Sequence, residues 1–401
     1  MRLCVLTKRF PLVSETFVYE PVRWLRAAGH EVRVVTHKAG SIPGGWPGQE
    51  RARALPAHLR KLRALVRAAG SPAWSLRHFP EARRLHRRTR LATLDILARA
   101  ALPEVRRADC LLAHFGHVGA EWLPVAALAR RPLAVYFHGS DASALPRRAP
   151  GIYDALFASG AALLTNSDYL RERLIAAGAA PSRVAVIRLA AAPELAACAE
   201  PPDLTSRRVL TIARLVPKKG VEDSLSAFAR AQAAMKGEWR YEIVGDGPLR
   251  ESLAGAAAAA GVSALVEFRG FLPRRETLES LGRASIFALA SKVAPDGDTE
   301  GTPIALLEAA TLGLPVVSTL HAGIPDLLPP AAEREGFLVR EGDVEAFGRA
   351  LERLACDPVL RHDWGRACME HARAGYSAAG HVKALVNALQ QQARVPRLPA
   401  S

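Results

Sequence analysis

Two glutamates eight residues apart, Glu300 and Glu308, lie in the stretch EGTPIALLEAATLGLPVVST, residues 300–319. Thr302 and Pro303 read as the N-cap and first position of a helix. A threonine hydroxyl caps an open N–H, and proline has no N–H to leave open. Gly313 ends that helix and Pro315 keeps it from resuming, after which Val316, Val317 and Ser318 read as a short buried strand. Backbone N–H groups at such a helix start suit an anion, usually a phosphate. Carboxylates beside them accept hydroxyl groups from whatever the phosphate carries. A diphosphate flanked by two polyols is a nucleotide sugar.

Cations suited to a diphosphate stand upstream. Arg214 ends the strand-like run RRVLTIAR, and Lys218 and Lys219 occupy the turn before Gly220. Arginine grips phosphate oxygens as a bidentate fork, and lysine acts as a point charge. Lys218 itself reads better as a solvated turn residue. Gly245, Asp246 and Gly247 follow another strand, although such a triplet also makes ordinary turns. In the first half, FHGSD places His138, Gly139 and Asp141 at a strand end, where the glycine admits close approach of a ligand. HFGHVG places His114 and His117 at an earlier strand end with a weaker claim. Ser14 reads as an N-cap beside the cleft or as a plain helix cap. Asp296 and Asp298 could mimic a paired-carboxylate metal motif, but their glycine-rich loop argues against that role, and no metal site is expected.

These residues need strands that end in them. Residues 2–7 and 31–36 read as strands around a helix from about Glu15 to Ala28, a β-α-β unit that implies a parallel sheet. The loop between has no glycine, so the GxGxxG dinucleotide fingerprint is absent. Strand-like runs recur at 109–115, 132–138, 161–166 and 184–189, whereas 40–56, rich in Gly and Pro, reads as a loop. Residues 190–206 carry three prolines and no periodicity, which marks a linker. The alternation then restarts for about six β-α repeats and becomes helical from Asp343. The expected architecture is α/β: a Rossmann-like domain over 1–190, a linker over 191–206, and a second doubly wound parallel-sheet domain over 207–375. A C-terminal helix and tail, 376–401, would cross back to the first domain.

At 401 residues the chain suits two domains of ordinary size. Its five cysteines are odd in number and form no CxxC pair, against a disulfide framework or structural zinc and in favour of the cytosol. No apolar run reaches the roughly 18 residues of a membrane-spanning helix, and the N-terminus lacks a signal-peptide core. The net charge of +15 lies wholly in the first half, where residues 1–200 hold 30 Lys and Arg against 15 Asp and Glu. Residues 51–100 alone carry 13 basic and 2 acidic residues, with leucines at roughly helical spacing. They read as basic amphipathic helices for an anionic bilayer surface, or as a solvated arginine face on packed helices. Nucleic acid is not expected, because no recognition motif or aromatic stacking pattern accompanies the charge.

ARLVPKKG, IVGDGPLR, FRGFLPR, EGTPIALLEAATLGLPVVST and GIPDLL…GFLV, in this order over most of 207–340, resemble the retaining glycosyltransferases of family 4, which have the GT-B fold of two facing Rossmann-like domains. More loosely, RFPLVSETFVYE, LLAHFG and YFHGSD are similar to bacterial enzymes of colanic-acid and other exopolysaccharide assembly. The resemblance implies a hexose moved from a UDP- or GDP-linked donor to a lipid-linked saccharide acceptor, with no cofactor and no metal. Arg214 and Lys219 would bind the diphosphate and stabilise the leaving group. Glu300 would contact the sugar hydroxyls and Glu308 the ribose, with Gly245 and Asp246 also at the donor. The backbone near Phe271 and Leu272 would hold the base, Gly301, Thr302, Pro303 and Ile304 would offer N–H groups or their flanks to phosphate, and His138 would reach the donor sugar. Retention would proceed without an assigned protein nucleophile. The enzyme would be cytoplasmic and peripheral on the inner face of the cell membrane. A nucleotide-sugar epimerase and a non-catalytic nucleotide-sugar-binding protein are the alternatives on the same fold. Two departures stand out: Ser14-Glu15-Thr16 replaces the glycine pair common in the family's first loop, and PPAAERE (329–335) resembles a small insertion.

Overall fold

The structure is a computed structural model that describes residues 1–12, 15–41, 52–55, 72–86, 91–193, 195 and 202–394. Ser14 and residues 51, 56–71 and 87–90 of the basic stretch 51–100 therefore lie outside the described residues, as do 194 and 196–201 of the expected linker and 395–401 of the tail. The chain divides into two compact units: Met1–Thr165 with Arg171–Ile187 and the chain from Val382, and Asn166–Leu170 with Arg188–His381.

The first unit is built on seven parallel strands: β1 (Arg2–Phe10), β2 (Glu31–Ala39), β3 (Arg53–Ala54), β4 (Cys110–His114), β5 (Leu133–Phe137), β6 (Ala162–Thr165) and β7 (Val184–Val186). Their order is β3-β2-β1-β4-β5-β6-β7, with Val5 opposite Val34 on one side and Leu112 on the other. Strands β4 and β5 are buried throughout, which explains their uninterrupted apolar sequences: a sheet covered on both faces has no side for polar residues. The two-residue β3 is an addition to the sequence reading, which took 40–56 as loop. The last helix, Ala378–Arg394, joins this unit from Val382 onward, and Gln392 Nε2 donates to the Gly160 carbonyl at 3.1 Å.

The second unit has six parallel strands: β8 (Arg208–Ile212), β9 (Arg240–Val244), β10 (Val266–Gly270), β11 (Ile286–Leu289), β12 (Val316–Thr319) and β13 (Leu338–Val339). Their order is β10-β9-β8-β11-β12-β13. This is the Rossmann order, which reverses direction between β8 and β11 and opens a crevice beyond their carboxyl ends. The helices Val344–Cys356 and Pro358–Gly375 complete the unit, capped by Asp343 and Asp357 through their side chains. PPAAERE forms a hydrogen-bonded turn that buries Ala332, whose carbonyl accepts from Phe337 and Leu338 as the chain enters β13. Among the described residues no helix is long and apolar enough to cross a membrane.

Candidate active site

In the second unit the crevice between β8 and β11 is closed by glycine contacts that no other residue permits. Gly220 lies at φ +57°, and a Cβ placed there would meet the Ala290 carbonyl oxygen at 1.6 Å. The turn carrying Lys218 and Lys219 therefore lies against the exit of β11. Gly245, at φ +129°, likewise sets the exit of β9 against that of β8, since a Cβ would fall 1.8 Å from the Ala213 oxygen. The Gly245-Asp246-Gly247 triplet thus packs strand exits together, and Asp246 between the glycines is exposed.

Two lysines and two acids meet in this crevice. Lys219 Nζ is 3.1 Å from Glu300 Oε1, and Lys218 Nζ is 3.9 Å from the same oxygen. Lys218 also reaches Asp298 at 3.2 Å and the Thr299 carbonyl at 3.2 Å. With 8% of its surface exposed, Lys218 is not the solvated turn residue expected from sequence. Burial pushes the Glu300 carboxyl up, but Lys219 and then Lys218 outweigh it and hold the acid at about 2. Lys219 shifts down as well, because burial exceeds the pull of Glu300 and Lys218 adds like charge. Two cations serve one carboxylate, so the acid is the better compensated partner. Arg214 is exposed nearby and makes no ion pair among the described residues. Asp298 is occupied by Lys218, and Asp296 accepts the Asp298 N–H at 2.9 Å.

The helix after Glu300 runs Ile304–Leu312 and ends at Gly313 in the left-handed region, φ +92°. Pro303, not Thr302, stands at the N-cap, and no side chain caps this end. Thr302 Oγ1 turns away to donate to the Asn166 carbonyl at 3.2 Å. Local propensity favoured a threonine cap, but a tertiary partner took the hydroxyl. The first N–H groups of the helix are left open to an anion. Inside the helix, Glu308 is gripped by Arg274, at 2.8 and 2.7 Å to its two oxygens. Each oxygen keeps a second lone pair for a hydroxyl donor. At the β10 exit Gly270 adopts φ +67°, Phe271 is 52% exposed and Leu272 is half-buried.

In the first unit the corresponding crevice lies between β1 and β4. His138 Nε2 and His114 Nδ1 are 3.0 Å apart, with their rings nearly parallel. A single proton serves that contact, so one ring donates and the other accepts. Asp141 is buried and accepts the N–H groups of Gly116, His138 and Gly139 at 2.8, 3.0 and 3.0 Å. It thereby ties the β5 exit to the helix Gly116–Ala129. At the start of that helix Phe115 holds φ +76°, a conformation that costs a non-glycine residue on the order of 1–3 kcal/mol and gathers at functional sites. His117 stacks near Phe115, and burial, reinforced by Lys8, holds its imidazole down at about 4.

A model of glycosyl transferases group 1 matches residues 199–371, and one of glycosyltransferase family 4 matches residues 14–195. The putative colanic acid biosynthesis glycosyltransferase WcaL of Salmonella typhimurium is 32% identical over 93% of this chain and 94% of its own length. The chain belongs to glycosyltransferase family 4. The amylovoran biosynthesis glycosyltransferase AmsK of Erwinia amylovora is also 32% identical, over 88% of this chain and 91% of its own. Among solved structures, Anabaena HepE in complex with UDP and glucose superposes with a TM-score of 0.68, covering 98% of this chain and 100% of that one at 17% identity. The two Rossmann-like domains of this glycosyltransferase are of the GT-B class.

The second unit of the glycosyltransferase gathers Lys219, Glu300 and the Gly301–Ile304 helix start around one crevice, with Arg214 on the strand exit beside it. Glu308 faces Arg274 instead of standing alone. Two neighbours of these residues escaped the sequence reading, Arg274 and His321, and Lys218, set aside there as solvated, is buried against Asp298 and Glu300. His321 is 1% exposed and accepts the Glu300 N–H on Nε2 at 3.1 Å. The only local hint was a histidine just beyond the strand 316–318, in HAGIPDLL, with no partner legible nearby.

Proposed function

We propose that this glycosyltransferase moves a hexose, with retention of configuration, from a UDP- or GDP-linked donor to a saccharide acceptor carried on a lipid, in exopolysaccharide synthesis. The observation that carries the reading is the buried Lys219–Glu300 pair beside an uncapped helix start. Departure of a nucleoside diphosphate builds negative charge on its oxygens. Arg214, Lys218, Lys219 and the N–H groups of Gly301, Thr302 and Ile304 are assigned to stabilising that charge. This supply of positive charge supports turnover that does not depend on added metal.

Glu300, ionised and acceptor-only, is assigned to hydroxyls of the transferred sugar. Glu308 is assigned to the ribose hydroxyls, alongside Arg274. The exposed Phe271 and neighbouring Leu272 are assigned to the base, with Gly245 and Asp246 at the diphosphate end. His138 keeps its assignment to the donor sugar. The colanic acid and amylovoran relatives support an exopolysaccharide role, and the HepE complexes support a UDP-linked donor. No cofactor beyond the donor is invoked.

An anionic lipid surface is the proposed second partner, at the inner face of the cell membrane. The helix Pro72–His86 supports it: Leu76 and Phe79, 75% and 42% exposed, share a helical face with the exposed Arg83, and Arg77 flanks them. The deciding experiment is binding and hydrolysis of a panel of UDP-, GDP- and ADP-sugars by purified protein with EDTA present. Turnover of one donor into free sugar supports transfer and names base and sugar. Isomerisation of the donor without acceptor would replace the reading with an epimerase, and no binding at all would remove it.

A further inference from the structure

We propose that His321 and Glu341 form a positioning pair that fixes the backbone of Glu300, and so sets the reach of its carboxylate toward the transferred sugar. The proposal rests on the assignment of Glu300 to that sugar. His321 follows β12, and Glu341 follows β13. His321 Nδ1 lies 2.6 Å from Glu341 Oε1, and Nε2 lies 3.1 Å from the Glu300 nitrogen. The Glu300 N–H needs a lone pair, so Nε2 carries no proton and the ring's single hydrogen sits on Nδ1, donated to Glu341. A doubly protonated ring would set two N–H groups against each other.

Glu341 is itself fixed. Its Oε2 accepts the Val293 N–H at 2.8 Å, in the loop that leads from β11 to Glu300. The pair therefore grips the loop 290–300 at both ends, at Val293 through Glu341 and at Glu300 through His321. Two further bonds run alongside it: Thr319 Oγ1 donates to the Ser291 carbonyl, and the Gly323 N–H donates to the Gly301 carbonyl at 3.1 Å. Neither touches the Glu300 peptide. Lys219 holds the carboxylate end of Glu300, while the Thr299–Glu300 peptide is held on its carbonyl by Lys218 at 3.2 Å and on its N–H by His321. Loss of the His321 bond leaves the charge pair and the Lys218 contact intact but frees the N–H side of the peptide to tilt, and a displacement of about 1 Å at a reacting geometry can cost on the order of 10²-fold in rate.

Two conservative substitutions separate the two ring contacts. His321→Gln offers an oxygen near the place of Nε2 and keeps an acceptor for the Glu300 N–H. His321→Asn offers a donor near the place of Nδ1 and keeps Glu341 while abandoning Glu300. Kinetics are read on whichever panel donor the parent protein turns over, and UDP affinity is read by calorimetry. The expected result is that His321→Asn lowers kcat 10- to 100-fold with UDP affinity unchanged, and that His321→Gln recovers much of the loss. Exchange of the Glu300 amide with solvent deuterium supplies a readout independent of donor: protection is expected in the parent and in His321→Gln, and loss in His321→Asn. Ring nitrogen NMR of the parent protein, where no variant need fold, is expected to show Nδ1 protonated and Nε2 bare. A parent ring protonated on Nε2, equal Glu300 exchange in all three proteins, or parental kcat in His321→Asn would overturn the proposal. Failure of every panel donor would sink the donor assignment while the amide and ring measurements still decide the pairing.

Discussion

Lys219 and Glu300 are 81 residues apart in sequence and 3.1 Å apart in space, each with most of its side chain buried. A lysine and a glutamate withdrawn from water hold their charges because each compensates the other. On the proposed mechanism, replacing Lys219 with methionine removes the principal cation from Glu300 and from the leaving group together. The expected loss in kcat is about 10²–10³-fold, measured by steady-state transfer, with a fall in unfolding temperature recorded alongside.

The same pair predicts an acid-side loss of stability. Glu300 is held at about 2, below the ordinary glutamate value of 4.5. Below that unfolded value the unfolded chain binds the proton first, so the contribution is complete above about pH 4.5 and disappears as pH falls toward 2. Urea unfolding of the parent should weaken across this window. Glu300→Gln should flatten the decline, and an identical slope in both proteins would contradict the assignment.

Arg274 and Glu308 give a second, independent test. Arg274→Ala leaves a buried carboxylate with no fork to hold it. The expected destabilisation is on the order of 2–3 kcal/mol, below the range for fully buried pairs because Arg274 is partly exposed. The double variant Arg274→Met, Glu308→Leu should recover stability and not nucleotide binding, which thermal melts with and without UDP distinguish.

Gly220→Ala should be far more damaging than an ordinary loop substitution. The added Cβ meets a backbone oxygen, which cannot rotate away, at a residue already in the left-handed region. The turn bearing both lysines must move off the β11 exit. Reduced yield or a melting temperature lower by several degrees is expected, with nucleotide binding lost before the fold.

For the lipid surface, Leu76→Asp with Phe79→Asp should lower co-flotation with phosphatidylserine vesicles and leave donor hydrolysis unchanged. Equal recovery of the parent on neutral and anionic vesicles would remove the charge argument.

The fold was largely legible because parallel strands buried on both faces spell continuous apolar runs, as in CLLAH and LAVYF. Arg214 and His138 were legible for the same reason, because each stands just past such a run, whereas Glu300, eleven residues beyond β11, was read from the helix start that follows it. Partnership across the sheet was not. Nothing around Lys218 announces Asp298, 80 positions on, so a turn lysine read as solvated. His321 needed Glu341 beyond the next strand, and Glu308 needed Arg274 from a preceding helix. Thr302 failed for the converse reason: its local preference to cap was clear, and the Asn166 carbonyl overrode it. The two-residue β3 is too short to carry any period.

The acids paired with Lys218 and Lys219 bear on which molecules can occupy the crevice. Cells are crowded with polyphosphates, and an uncompensated trio of cations would capture them indiscriminately. Here Asp298 and Glu300 already pair with the lysines, as resident competitors for any anion. An anion alone must displace them, whereas a ligand that brings hydroxyl donors to Glu300 satisfies acid and base together. On the proposed donor site, the resident carboxylates would favour a sugar-bearing diphosphate over inorganic polyphosphate and would ease departure of the spent nucleotide once its sugar is gone.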